Sequence, residues 1–346
     1  MTSQRTRSAG RPTLDEVAAR AGVGRGTVSR VVNGSPQVSP ESRAAVEQAI
    51  AELNYVPNRA ARALVTQRTD SVALVVCESE ARVFGEPFFA GIIRGISAVL
   101  AETPLQLWLA MAQSPAQRDR VNQHLTAQHV DGVLLLSLHD DDPLPYRLAE
   151  RGLAAVLGGR PARMLNGSEP ISFVDVDNVG GARLAVNHLL AGGRRAIGTV
   201  AGPQDMGAGL ARLDGFCRAI REAGLPVSPD LVAHGDFSEE SGAAAMRQIL
   251  SRRPDVDAIF AASDLMAAGA MRVLKERGRR IPSDVAVVGF EDSVIARQTE
   301  PPLTTVHQPV EEMGREMGRL LLDRLRGDIG PSSIILDTHL VRRASA

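Results

Sequence analysis

The sequence predicts two architectures in series: a small all-α helix-turn-helix domain over residues 13–56, and an α/β core over residues 71–346 made of two doubly wound parallel-sheet subdomains. Three observations predict this. Residues 13–33 carry helical apolar spacing that is interrupted once, at Gly22-Val23-Gly24. From Ser71 onward, short apolar runs rich in β-branched residues alternate with amphipathic helical stretches, the signature of parallel sheets covered on both faces. Seven or more such units follow with no eightfold regularity, which favours two open sheets over one barrel.

Residues 1–12 are polar and Arg-rich, and are expected to form a disordered basic arm. Thr13 followed three residues later by Glu16 is a capping box, so the first helix has a defined start. Leu14, Val17, Ala18 and Ala21 give that helix one apolar face. A second helix is predicted from Arg25 to Asn33, with Gly34 where a helix-ending glycine belongs. Helix, tight glycine turn and helix is the layout that sets a second helix into the DNA major groove. Ser39 can cap and Pro40 can start a third helix over residues 40–53, with Val46, Ala49, Ile50 and Leu53 on its apolar face. Residues 57–70 form a connecting segment. Asn58 to Val65 suffice for about two helical turns after Pro57, too short a helix to be stable unless something packs on it.

In the core, strands are expected at Val72–Val76, Leu105–Leu109, Val133–Leu136, Ala154–Leu157, Ile197–Val200, Ala258–Phe260 and Val285–Val288. Helices are expected at 88–102, 115–128, 179–191, 210–223, 239–252, 264–277 and 309–326. Open sheets bind ligands at the carboxyl ends of their strands, so two sheets place a site in the cleft between them.

Composition bounds the function. The chain has 346 residues, 44% hydrophobic and 23% charged, as in an ordinary soluble protein. No apolar run approaches the ~20 residues that span a bilayer. No apolar segment follows the first residues, so no secretory signal is expected and a cytoplasmic location fits. Cys77 and Cys217, the two cysteines, lie in apolar patterns and are expected to be buried free thiols. The net charge of -1 hides an asymmetry: residues 1–70 hold ten arginines against six acids, so the first part is basic and the remainder acidic. A basic arm on an acidic body points to a polyanionic partner for the arm.

Catalytic chemistry is not legible. There is no Walker A motif, His-Glu-x-x-His or Cys-x-x-Cys, and Lys275 is the single lysine. Gly207-Ala-Gly209 lacks the third glycine of a dinucleotide loop and reads as a turn. Asp140, Asp141 and Asp142 precede Pro143 and read as a solvated cluster that starts a helix. The histidines show no metal spacing, and no cofactor is implied.

Several motifs carry a family resemblance. Thr13-Leu-x-x-Val-Ala-x-x-Ala-Gly-Val, Thr27-Val-Ser-Arg-Val-Val-Asn, Asn54-Tyr-x-Pro-Asn-Arg-x-Ala61, Ser263-Asp-x-Met-Ala and Pro282-x-Asp-Val-Ala-Val-Val-Gly-Phe resemble the LacI/GalR family of bacterial repressors. The resemblance spans about 13–341. It implies a periplasmic-binding-protein-like core, a homodimer on double-stranded, pseudo-palindromic operator DNA, and a small effector, often a sugar, that changes operator affinity. No leucine heptads follow the last predicted strand, so a dimer is expected rather than a coiled-coil tetramer.

Residue by residue, the resemblance implies that Arg25, at the start of the recognition helix, reads a base; arginine bidentate to guanine is the commonest specific contact. Gly26 stands where a base-reading side chain is usual and cannot read. Gly24 replaces a serine cap. Thr27, Ser29 and Arg30 match positions that touch bases and phosphates; the alternative for Thr27 is packing. Asn33, Ser39, Ser42, Tyr55 and Asn58 match phosphate contacts, which position without specifying. Asn58–Val65 corresponds to a hinge helix, where Leu64, with Ala61 on the same face, would wedge into the minor groove; the alternative is an ordinary core leucine.

For the effector, Arg212 matches a ligand-binding arginine and Phe237 an aromatic that lies against the ligand. Phe88 and Phe89 follow the first strand at the cleft mouth. Asp177, Asp264 and Glu291 are carboxylates near predicted strand ends, as sugar hydroxyls need; Asp264 could instead cap its helix. Ser263 stands where asparagine is common and Glu291 where aspartate is common, so no particular sugar transfers directly. The run Ala21–Arg30 resembles actinobacterial cellobiose-responsive members, which makes a cello-oligosaccharide the expected effector. Two other readings compete: a sugar-binding protein of the transport class on the same core, against which the basic arm counts, and an α/β enzyme, for which no nucleophile, metal or phosphate loop is found.

Overall fold

The structure, a computed structural model, describes residues 12–56, 68–126, 129–139, 142–161, 171–327, 330 and 332–346. The chain divides into two compact units, Met1–Thr69 and Asp70–Ala346.

The first unit contains helices α1 (Leu14–Ala21), α2 (Arg25–Val32) and α3 (Pro40–Leu53). The capping box forms: the Glu16 N–H donates to Thr13 Oγ1 (3.3 Å) and the Thr13 N–H to Glu16 Oε2 (2.7 Å). Gly22, at φ 65°, ends α1 in the left-handed conformation that glycine adopts without a Cβ clash. α2 begins at Gly24 without a side-chain cap and ends one residue earlier than predicted, at the Asn33 C-cap. Val17, Val28 and Val46 are fully buried where the helices meet, with Val31, Ala49 and Tyr55 beside them. Each buried valine contributes ~1.5–3 kcal/mol to holding the three helices together. The basic arm, the hinge and its residues Asn58, Ala61 and Leu64 lie outside the described residues apart from Pro12 and residues 68–70.

The second unit holds two six-stranded sheets. The elements of its first half are β1 (Ser71–Val76), α4 (Glu80–Gly85), α5 (Pro87–Leu100), β2 (Gln106–Met111), α6 (Pro115–Thr126), β3 (Gly132–Leu136), α7 (Leu144–Glu150), β4 (Ala154–Gly158) and β5 (Ser172–Val176). Then come α8 (Asn178–Ala191), β6 (Ile197–Ala201), α9 (Gly207–Glu222), β7 (Val232–His234), α10 (Glu239–Arg252), β8 (Ala258–Ala261), α11 (Asp264–Glu276), β9 (Ala286–Glu291), α12 (Val294–Gln298) and β10 (Thr304–His307). α13 (Val310–Arg326), β11 (Ser333–Leu336) and β12 (His339–Val341) complete it. The strand orders are β11-β5-β4-β3-β1-β2 and β12-β10-β9-β8-β6-β7. All pairings are parallel except β10 with β12.

Parallel strands buried on both faces need apolar residues throughout, and β3 (Gly-Val-Leu-Leu-Leu) and β8 (Ala-Ile-Phe-Ala) are buried along their whole length. Each sheet accordingly has an apolar cluster on either face. The chain passes between the sheets three times, after Val176, after His307 and after Leu336. At the second passage it enters α13, which packs on α5 and the first sheet. Backbones approach closely there: a methyl on Gly95 would clash with the Glu311 carbonyl oxygen, so only glycine fits.

The structure corrects the predicted element list in one respect. β5, β7, β10, β11, β12 and the short helices α4 and α12 were not predicted, and α7 only by its start after Asp142, which is buried and accepts from the Leu144 N–H rather than being solvated. The strands are three to five residues long and carry Ser, Thr, Asp or His, so they lack the apolar run that marks the others. The helices have five to seven residues, too few to show a period. Cys77 is buried and Cys217 half-buried, both as free thiols. Among the described residues, no helix is long and apolar enough to cross a membrane.

Candidate functional site: a cleft between two sheets

A cleft that opens to solvent lies between the two sheets at the carboxyl ends of their strands. The first sheet side contributes Phe88 and Phe89 from the start of α5, Ser137 after β3, Arg160 after β4 and Asp175 near the end of β5. The second contributes Arg212 from α9, Phe237 after β7 and Glu291 from the end of β9. Asn178 and Gln308 enter from two of the crossing segments.

Arg212 is the best-held of these side chains. It is 3% exposed. Its Nε donates to Asn178 Oδ1 (2.8 Å), Nη1 to the Ala262 carbonyl (2.6 Å) and Nη2 to Gln308 Oε1 (3.0 Å). Its guanidinium lies over the Phe290 ring at 3.8 Å and faces Phe237 at 5.8 Å. A planar fork with three fixed donors suits this role; an ammonium would not reach all three partners. Because Asn178 and Gln308 sit on segments that pass between the sheets, Arg212 ties the site to two of the crossings between the subdomains.

The carboxylates are strained electrically. Burial pushes the Glu291 carboxyl up to about 8, outweighing Arg212 Nη1 at 4.0 Å, and Asp264 adds to the rise. Glu291 also has φ 116°, and Ser137 and Phe237 have φ 53° and 73°. Three non-glycine residues in such backbone conformations line one cleft, a cost that persists only where the surroundings enforce it. Burial likewise raises the Asp175 carboxyl, which accepts from the Val176 N–H and from Asn178 Nδ2.

Most of the predicted effector residues converge here. Phe88, Phe89, Arg212, Phe237 and Glu291 all line the cleft. Two do not. Asp177 is exposed and caps α8, its Oδ1 accepting from the Gly180 N–H at 2.7 Å. Its place is taken by Asp175, two residues earlier, because β5 ends at Val176 before the chain turns away. Asp264 is fully buried behind Glu291, where it accepts from Thr305 Oγ1 (2.5 Å) and the Ser293 N–H (2.7 Å). The α11 cap is Ser263 instead. Burial raises the Asp264 carboxyl to about 6. Sequence reasoning missed Asp175, Asn178, Gln308, Ser137 and Arg160; Asp175 lies near the end of an unpredicted strand, and Asn178 and Gln308 sit at crossings between sheets, which periodicity does not mark.

At the cleft mouth, Arg82 of α4 pairs with Glu78 and Glu86, each at 2.6 Å. His139, after β3, meets Asp205, after β6, at 2.6 Å.

In the first unit, Arg25, Gly26 and Arg30 are exposed along α2, with Thr27 and Ser29 half-buried and Val28 and Val31 turned into the core. Asn33 and Ser39 are exposed. Ser39 Oγ is engaged with α3, accepting from the Ser42 N–H (3.3 Å) and donating to Ser42 Oγ (3.0 Å). Tyr55 is 7% exposed and belongs to the apolar core, so its ring has a packing role whatever its hydroxyl meets.

A helix-turn-helix unit carried on the same chain as a two-sheet ligand cleft defines a ligand-responsive DNA-binding regulator. Comparison with known proteins agrees. Residues 13–58 match the bacterial regulatory proteins of the lacI family, and residues 186–346 a periplasmic binding protein-like domain. The HTH-type transcriptional regulator CelR of Thermobifida fusca is 56% identical over 336 residues, covering 97% of this chain and 98% of CelR. The HTH-type transcriptional repressor PurR of Escherichia coli is 36% identical over 339 residues, 96% of each chain. A CelR–cellobiose complex superposes with a TM-score of 0.78 at 54% identity, covering 97% of this chain and 100% of that one. A lac repressor dimer bound to operator and the anti-inducer ONPF gives 0.82 at 29% identity, covering 97% and 99%. The chain belongs to the lacI family of bacterial regulatory proteins, and is a transcriptional regulator.

Proposed function

We propose that the cleft takes a cello-oligosaccharide, with cellobiose as the first candidate, and that its occupancy changes the affinity of the helix-turn-helix unit for pseudo-palindromic operator DNA in the cytoplasm. One observation carries the reading: Arg212 reaches into the cleft while bonded to Asn178 and Gln308 on two crossing segments. A ligand that touches Arg212 therefore acts on the angle between the sheets. A β-linked glucose unit has an apolar face and a ring of equatorial hydroxyls. Phe88 and Phe237 supply flat apolar surfaces, and Asp175, Arg160 and Glu291 supply hydroxyl partners. Glu291, protonated near neutral pH, can donate as well as accept. The CelR–cellobiose complex supports the same sugar class.

On DNA, Arg25 reads a guanine, with Thr27, Ser29 and Arg30 beside it, while Asn33, Ser39 and Asn58 position the backbone and Leu64 wedges the minor groove. A second copy is the partner. Trp108 (60% exposed) and Leu109 (42%) stand on β2, an edge strand, where uncovered apolar side chains need a cover. The test is a calorimetric screen of mono- and oligosaccharides against the full chain, repeated with promoter DNA from beside its own gene. Heat from β-linked glucosides and sequence-specific DNA binding are expected. DNA binding that is weak and equal for all sequences would overturn the reading.

A further inference from the structure

Arg25 and Asp15 form an ion pair between α1 and α2, with Nε 3.6 Å from Oδ1. Both side chains are about 70% exposed, at 71% and 69%. An exposed pair of this kind adds little to stability. Its geometry matters more. The contact uses Nε; among the described residues the two terminal nitrogens of the guanidinium make no hydrogen bond, and those nitrogens form the fork that meets guanine O6 and N7.

Nothing next to Arg25 in sequence can hold its long side chain. Gly24 and Gly26 flank it, and no atom lies within 4 Å of where a Cβ on either would stand. The other acids near α1 are engaged elsewhere: Glu16 closes the capping box on Thr13, and Glu52 pairs with Arg20. Asp15 is answered by the reader itself. Packing of Val17 against Val28 in the core fixes the two helices that carry the pair.

We propose that Asp15 is a positioning residue for Arg25: its carboxylate fixes the guanidinium so that α2 reads one base with a side chain that its glycine neighbours leave unsupported. The pair strengthens when docking on DNA removes water around it. This rests on the reading of Arg25 as the base-reading residue, and the experiment separates the two.

The full-length chain is used, with its best operator and a set of operators that differ at one base per half-site, in competition binding. Arg25→Ala should flatten the preference at one position. Asp15→Asn should flatten that same position five- to tenfold and leave the other positions unchanged. Asp15→Glu should restore part of it, and the double variant should be no flatter there than Arg25→Ala alone. A lost helix-start charge, by contrast, would lower the melting temperature without changing base preference. A uniform gain in affinity for Asp15→Asn, meaning relief of phosphate repulsion only, overturns the proposal, as does a change at a different base. Preference lost with Arg25→Ala but retained with Asp15→Asn sinks this proposal alone. Preference retained with Arg25→Ala sinks both it and the reading beneath it.

Discussion

His139 and Asp205 meet across the mouth of the cleft, Nδ1 to Oδ2 at 2.6 Å, one following a strand of the first sheet and the other a strand of the second. Neither lines the cavity. The pair therefore holds the two subdomains together without touching a ligand. A partly exposed pair is worth ~0.2–1 kcal/mol, so His139→Gln or Asp205→Asn should speed effector release by roughly 1.5- to fivefold. Stopped-flow release rates in a double-mutant cycle check this. Strictly additive effects of the two substitutions would show that the residues do not act as a pair.

Arg212 has two roles that one substitution cannot separate. Arg212→Ala should abolish the ligand response. It should also lower the stability of the second unit by about 3–5 kcal/mol, because Asn178, Gln308 and the Ala262 carbonyl lose a buried charged partner. Gln308→Ala removes one of the three bonds and should weaken the ligand response at a smaller cost in stability. Denaturant unfolding and ligand titration of both variants check this; an Arg212→Ala protein as stable as the parent contradicts it.

Glu291 makes the ligand-free core sensitive to pH. Its carboxyl is raised from 4.5 to about 8 by burial, so between those values the folded state holds a proton that the unfolded state has lost. The stabilisation is fully present below about 4.5 and is lost as pH rises toward 8. Glu291→Gln should flatten the fall in unfolding free energy most between about pH 6 and 8, since Asp264, raised to about 6, contributes at the lower end. An unchanged slope in the variant would remove Glu291 from this role.

Ser39 caps α3 by its own hydroxyl. Ser39→Ala should lower the protection of α3 amides against hydrogen exchange by ~1 kcal/mol in the absence of DNA. Protection that changes only when DNA is bound would mean that the hydroxyl serves the phosphate rather than the helix.

The first unit was legible in detail because its signals are local. Thr13 and Glu16 specify a helix start, Gly22 specifies a turn, and Ser39-Pro40 specifies another start. The long apolar strands and long helices were legible by period. What escaped were the places where the chain changes sheets. Asp175, Asn178 and Gln308 are ordinary polar residues in sequence, and their role comes from strand ends brought together by topology. The same cause moved the cleft carboxylate from Asp177 to Asp175: with β5 unplaced, the end of the strand could not be located. Asp264 was drawn toward the cleft because it begins a helix beside a strand end, but its two hydrogen bonds turn it inward, behind Glu291.

The central claim is that a sugar in the Arg212 cleft is coupled to operator binding. The direct measurement is the affinity of the full-length chain for its operator, by fluorescence anisotropy, with and without saturating cellobiose. Allosteric coupling of ~1–3 kcal/mol predicts a change of about five- to 150-fold, reduced by Gln308→Ala and absent with maltose. An operator affinity that is unchanged by every β-linked glucoside, although the chain binds the operator specifically, would contradict it.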